Sequence, residues 1–242
     1  MKKLALIFAC LLAPAIQAQD MPPFIPNLTL QSTSAYASIS AVNAYSAMLD
    51  DEDEDEADDS DKKEEKSEKP VNLNVDVSQG DIDEMAEKLA ANFPKKNRND
   101  AVLMYKSLYD AYANEDENPR TINGAMAVYA VGSYVAFKNK AGDLDKLGKD
   151  LDVVAEQFER GIHKDPSHIR KVPADEMKSA YLQMIMLGMQ MITSVVANET
   201  SGSSDSQMVA RQKEAGRRNL EEMFKKPAEK VVFSDKGLTF RK

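Results

Sequence analysis

Two stretches of this chain are almost free of charge and too long to be strands. Ile122 to Phe137 reads INGAMAVYAVGSYVAF, and Tyr181 to Ala197 reads YLQMIMLGMQMITSVVA. A helix that is apolar around most of its circumference must be enclosed by other elements. Two such helices require a bundle with both at its centre. Gly124, Gly132 and the intervening alanines, with Gly188 in the second stretch, let main chains approach closely. Glycine inside a helix costs about 1 kcal/mol relative to alanine, and close packing is the natural compensation. The two segments are predicted to touch.

The second stretch is near the minimum length for a membrane span. However, Glu176, Ser179, Gln183, Gln190 and Ser194 line one edge at helical spacing. Two glutamines facing lipid would lack hydrogen-bond partners. The pattern reads as a core helix with a narrow polar seam, leaving no transmembrane segment in the mature chain.

The flanking sequence supplies the enclosing elements. Ser78 caps a first helix with Met85, Leu89 and Phe93 on one face. Asn99 caps a second, carrying Val102, Tyr105, Tyr109 and Tyr112. Pro119 to Thr121 begins a third and Asp143 a fourth. In the fourth, Leu144, Leu147, Leu151, Val154 and Phe158 make the clearest amphipathic stripe. Pro173 suits the first turn of a fifth helix running to about Ala197. Gln207 to Lys225 forms a strongly charged sixth. Val231 to Phe233, the turn-like Asp235-Lys236-Gly237, and Leu238 with Phe240 read as an extended tail or a small hairpin. Nothing alternates strand with helix. The predicted fold is all-α: residues 76–242 form a single bundle of about five to six helices with a short extended C-terminal tail.

The region ahead of the bundle has another character. MKKLALIFACLLAPAIQA has a basic start, an apolar run and a small residue at Ala18, which are the marks of a cleavable signal peptide over residues 1–18. The implied location is periplasmic or secreted. A rival reading takes Ile7 to Cys10 as a lipidation box, but the apolar run continues past Cys10. Cys10 is the only cysteine and leaves with the leader, so the mature chain has neither disulfide nor thiol chemistry. Residues 19–49 are of low complexity. Residues 50–70 read DDEDEDEADDSDKKEEKSEKP, with thirteen acids against four lysines. Such a block repels itself and has nothing to bury, which predicts a disordered acidic linker. Loss of Lys2 and Lys3 takes the net charge from −9 to about −11, which disfavours nucleic acid as a partner.

The methionines of MIMLGMQM raise the question of a soft metal. At about 100° per residue, Met184 and Met191 share one face of a helix and Met186 and Met189 share another, roughly opposite. The four sulfurs cannot converge on one ion. Met186 and Met189 remain a candidate pair for Cu(I), which favours thioethers. Methionine also fills irregular cores without any ligand. His163 and His168 flank KDPS, and with Glu159 and Asp165 they are zinc candidates if the turn folds back. A histidine at a helix C-terminus equally suits the helix dipole. There is no cysteine nucleophile in the mature chain, no G-x-S-x-G, no P-loop and no G-x-G-x-x-G, so no catalytic residue and no cofactor is indicated. Arg211, Lys213, Arg217, Arg218 and Lys225 make the sixth helix locally basic, with Glu214, Glu221 and Glu222 interspersed as salt-bridge partners.

The layout resembles a family. AMAVYAVGSYVAF, the leucine-striped helix, LGMQM, then R-x5-R-R-N-L-x2-M-F and a closing F-S-D-K-G-L together are similar to exported bacterial helical proteins known only as a domain of unknown function. That family's tail reads Leu-Thr-x-x-Gly-Leu or Gly-Phe, and here Phe233 and Ser234 stand for Leu and Thr. The resemblance covers about residues 80–240 and leaves out the acidic segment. It implies a helical fold and export, and no activity.

Three classes of function follow. The first is a non-enzymatic exported protein that binds an unknown protein partner in the envelope, including an immunity-type inhibitor of a basic toxin. The second is a copper-binding protein acting through methionines. The third is a hydrolase, which predicts a polar cleft with strongly perturbed carboxylates.

Overall fold

The computed structural model describes residues 71–113, 120–142, 144–201, 206–234 and 236–241. The leader, residues 19–49 and the acidic segment lie outside them. Six α-helices are present among the described residues: α1 Gln79–Ala90, α2 Arg98–Ala113, α3 Ile122–Lys138, α4 Leu144–Lys164, α5 Ala174–Ser201 and α6 Ser206–Phe224. A short antiparallel pair follows, β1 Val231–Ser234 and β2 Gly237–Phe240. The all-α bundle read from periodicity is the observed class, and the C-terminal tail is the hairpin.

Local chemistry places the helix starts. Ser78 Oγ accepts from the Asp81 amide, and the Asp81 carboxylate accepts from the Ser78 amide (2.8 Å) and hydroxyl (2.6 Å). This reciprocal box closes two of the donors that every helix start leaves open. Thr121 caps α3 by accepting from the Gly124 amide at 3.3 Å. The cap read at Asn99 is corrected: a 3-10 turn over Lys95–Asn97 runs straight into α2, and Asn99 lies inside its first turn. Asp143, read as the start of α4, lies outside the described residues.

α3 is the axis of the bundle. It packs against α5, α6 and α4 and against β1, while α5 is covered on its other side by α2 and α1. The predicted contact between the two uncharged helices is present and is made by main chain. A Cβ on Gly132 would sit 2.5 Å from the Gly188 carbonyl oxygen, and one on Gly188 would sit 2.7 Å from that of Val128. α6 approaches α3 in the same way: a Cβ on Gly216 would collide with Ser133 O and Phe137 N. α5 has the length and composition of a membrane span, and 94% of its most apolar window is buried inside the fold.

Leu73 and Val75, ahead of residue 76, belong to the core, and Val71 packs against it. From residue 71 to 78 burial alternates, with Leu73, Val75 and Val77 inward. Asn74 bridges Thr121, the Val75 amide donates to the Arg120 carbonyl (2.8 Å), and the Ile122 amide donates to the Leu73 carbonyl (3.0 Å). The period of two is that of a strand, laid across the start of α3.

Candidate functional site

The methionines of α5 are interior. Met184, Met186, Met189 and Met191 are all buried. Met191 faces α3 and α6, where its sulfur accepts from the Ser133 hydroxyl (3.8 Å) and the Asn219 amide (3.6 Å). Asn219 also donates to Ser133 Oγ at 3.4 Å, so the three close a buried polar triangle where three helices meet. Gln190 looks the other way, toward α2, and its Oε1 accepts from the Tyr105 hydroxyl at 3.1 Å. Met186 is one turn from Gln190 and shares that side. The candidate pair Met186 and Met189 thus lies in the packed layer around α5.

The histidines stay on the surface in two separate pairs. His163 Nε2 is 3.7 Å from Glu159, and His168 Nε2 is 3.8 Å from Asp165. Asp165 already accepts from the Ser167 hydroxyl (2.6 Å) and amide (3.1 Å), which holds its carboxyl below the usual range. Among the described residues, no group of three or more histidine, cysteine or carboxylate side chains is gathered as for a metal.

A groove of about 460 Å³ runs between the extended segment and the α4–α5 connection. Val71, Val75, Val172 and Met177 give it apolar walls, and Asp76, Arg170, Asp175 and Lys178 give it charge of both signs. Lys178 reaches the Asp81 carboxylate at 3.2 Å, tying the groove wall to the cap of α1. The groove lies where residue 71 meets the acidic segment in sequence.

Among the described residues, the carboxylates whose acidity is displaced all move downward. Hydrogen bonds from Ser78 hold Asp81 at about 2, and Lys106 lowers Asp83. Arg217 lowers Glu214. A general acid working near neutral pH needs the opposite displacement. Burial pushes the hydroxyls of Tyr105, Tyr112, Tyr129 and Tyr181 up, so these rings stay neutral.

One buried side chain, Gln157, bonds the turn of the C-terminal hairpin. Gln157 Oε1 accepts from the Leu238 amide at 2.7 Å, and its Nε2 donates to the carbonyls of Lys236 and Leu238, each at 3.3 Å. Gly237 has φ +91°, and a Cβ there would collide with the Gln157 amide. The F-S-D-K-G-L ending thereby acquires a physical reason: a turn in the left-handed region pressed against a glutamine. In R-x5-R-R-N-L-x2-M-F, Asn219, Leu220, Met223 and Phe224 point inward. Arg217 points outward and bonds Glu214 and Glu221, at 2.7 Å each.

A family model described as a family of unknown function, DUF6683, matches residues 1–241. The chain belongs to that family. The match extends ahead of residue 80, so the acidic segment falls inside the family's span, in contrast to the narrower resemblance read from the motifs. No curated protein and no solved structure matches the chain.

Residue spacing missed Gln157, Gly216 and Asn219. Gln157 follows Val154 by three residues and precedes Phe158, so a polar side chain stands on the apolar stripe of α4. That position was the available signal. Gly216 and Asn219 sit in a helix whose charge pattern masks its inner face.

Proposed function

We propose that this chain is an exported binding protein that acts through surface contact with a basic macromolecular partner rather than through catalysis. The observation that carries the reading is the use of the interior. Two sets of its buried polar groups bond one another, Tyr105 with Gln190 and Asn219 with Ser133 and Met191. The acidity displacements noted above run away from general acid catalysis. What the chain offers outward is charge. Residues 50–69 carry thirteen acids against four lysines, and Val71, two residues further along the chain, lines the groove. Dense negative charge favours encounter with a cationic surface. A basic toxin neutralised in the periplasm is one partner of that chemistry. The leader read at residues 1–18 supports the envelope as the place of action.

The test is affinity capture from the native envelope, using the whole mature chain and a chain lacking residues 50–69. A basic protein retained by the first and lost by the second supports the reading. Identical captures by the two chains, or none by either, would refute it.

A further inference from the structure

We propose that the acidic segment, residues 50–69, docks in cis on a basic, aromatic face built around the C-terminal hairpin. This contact is internal to the chain and does not depend on the function proposed above. Residues 225–241 hold five basic side chains against two acids, Glu229 and Asp235. The end of α3 adds Lys138 and Lys140 beside them. Lys138, Lys140, Lys225, Lys230, Lys236 and Arg241 are exposed, and among the described residues none of them forms an ion pair.

Ring contacts place Lys138 and Lys226 on aromatic faces at the two ends of this surface. The Tyr134 and Phe233 rings meet at 4.8 Å, which seats β1 on α3. The Lys138 ammonium lies 4.5 Å from the Phe137 ring centre and 5.4 Å from that of Tyr134. At the far end of the hairpin Lys226 stands 4.4 Å over Phe240, whose ring meets Phe224 at 5.6 Å. The Arg241 amide donates to the Lys230 carbonyl at 2.8 Å, drawing those two residues together. Cations resting on ring faces give up little side-chain freedom when an anion arrives.

Charge and tether select the occupant. Residues 50–69 have a net charge of about −9 within a mature chain of about −11, so they hold most of its excess. A lipid surface of the same sign would be repelled by that excess. Reach is sufficient. Asn74 pairs with Thr121 at the start of α3, and the hairpin sits near the other end of that 17-residue helix, about 26 Å away at 1.5 Å per residue. Twenty residues of extended chain span up to about 66 Å. A tethered segment also sees its site at an effective concentration in the millimolar range, which favours cis docking over a second copy.

The test uses the whole mature chain and carbodiimide coupling, which condenses a carboxylate and a lysine amine into an amide with loss of water. Coupled peptides are read by mass spectrometry at about 0.01 M and about 1 M salt, where the screening length falls from about 30 Å to about 3 Å. Links from residues 50–69 to Lys138, Lys230 and Lys236 are expected at low salt, about tenfold fewer at high salt. Their yield per chain should not vary with protein concentration. The double variant Lys140→Glu/Arg241→Glu leaves the coupling amines in place and should lower the yield, with circular dichroism confirming the fold. Links spread equally onto Lys95, Lys96 and Lys213 would overturn the proposal. So would a yield indifferent to salt and to the variant, or links that form only between chains.

Discussion

Gly132 of α3 and Gly188 of α5 meet main chain to main chain, at a separation where a single added methyl would lie 2.5 Å from a carbonyl oxygen. Alanine at an ordinary helix position stabilises by about 1 kcal/mol relative to glycine. Here the sign should reverse. Gly132→Ala and Gly188→Ala are each expected to cost about 1–3 kcal/mol, because backbone has no rotamer with which to move aside. Urea unfolding of the two variants measures it, and a gain in stability from either would show that the helices stand further apart.

Gln157 answers three main-chain groups of the hairpin at once. Gln157→Leu keeps the approximate volume and removes every one of those bonds. The loss should be about 1–3 kcal/mol, the cost of a buried amide left without an acceptor. Hydrogen exchange at the Leu238 amide should accelerate much more than exchange in α3. Uniform acceleration throughout the protein would mean that the hairpin does not open separately.

Asp81 gives a pH signature. Its carboxyl is held at about 2 by the Ser78 hydroxyl and amide, with Lys178 adding a smaller effect, against 3.8 for the free group. A depressed carboxylate stabilises the fold fully above its unfolded value and loses that contribution as pH falls. The loss should therefore appear between about pH 4 and pH 2. In Asp81→Asn the part of the acid slope due to this group should vanish, while stability at neutral pH is lower throughout. Stability curves of both proteins across that range are the measurement; superimposable slopes would reject the assignment.

The buried sulfurs should divide into two kinds. Met186→Leu and Met189→Leu conserve volume in a packed layer and should cost less than about 1.5 kcal/mol each. Met191→Leu also removes an acceptor shared by Ser133 and Asn219, and should cost about 1 kcal/mol more. The copper reading is tested in the same proteins. Stoichiometric copper in protein from copper-supplemented cells, lost in the Met186→Leu/Met189→Leu double variant, would establish it.

The bundle was legible because its signals are long. Sixteen or more uncharged residues in a row leave few places for a helix to go, and the reading that Ile122–Phe137 touches Tyr181–Ala197 needed only that. The cap at Ser78 was also local, a side chain acting on an amide three residues on. The strand-like entry at Leu73, Val75 and Val77 was not legible. Three alternations beside a charged run are a weak signal, and the partner, Thr121, is remote in sequence. The start of α2 was misread because a 3-10 turn supplies the geometry that a capping Asn99 would otherwise provide. At the candidate sites, helical angle alone separated the methionines into two faces. That Gln157 is a clamp depends on where residue 238 arrives, which is decided by tertiary structure.

The bridge between Asn74 and Thr121 has a mechanical consequence. Any force on the chain ahead of Val71, such as that exerted by a partner gripping the acidic residues, is carried through two main-chain bonds to the first turn of α3. That helix is wrapped by three others. A tug at the periphery is thus transmitted to the most enclosed element of the molecule, where it is resisted by the whole interior rather than by a frayed end.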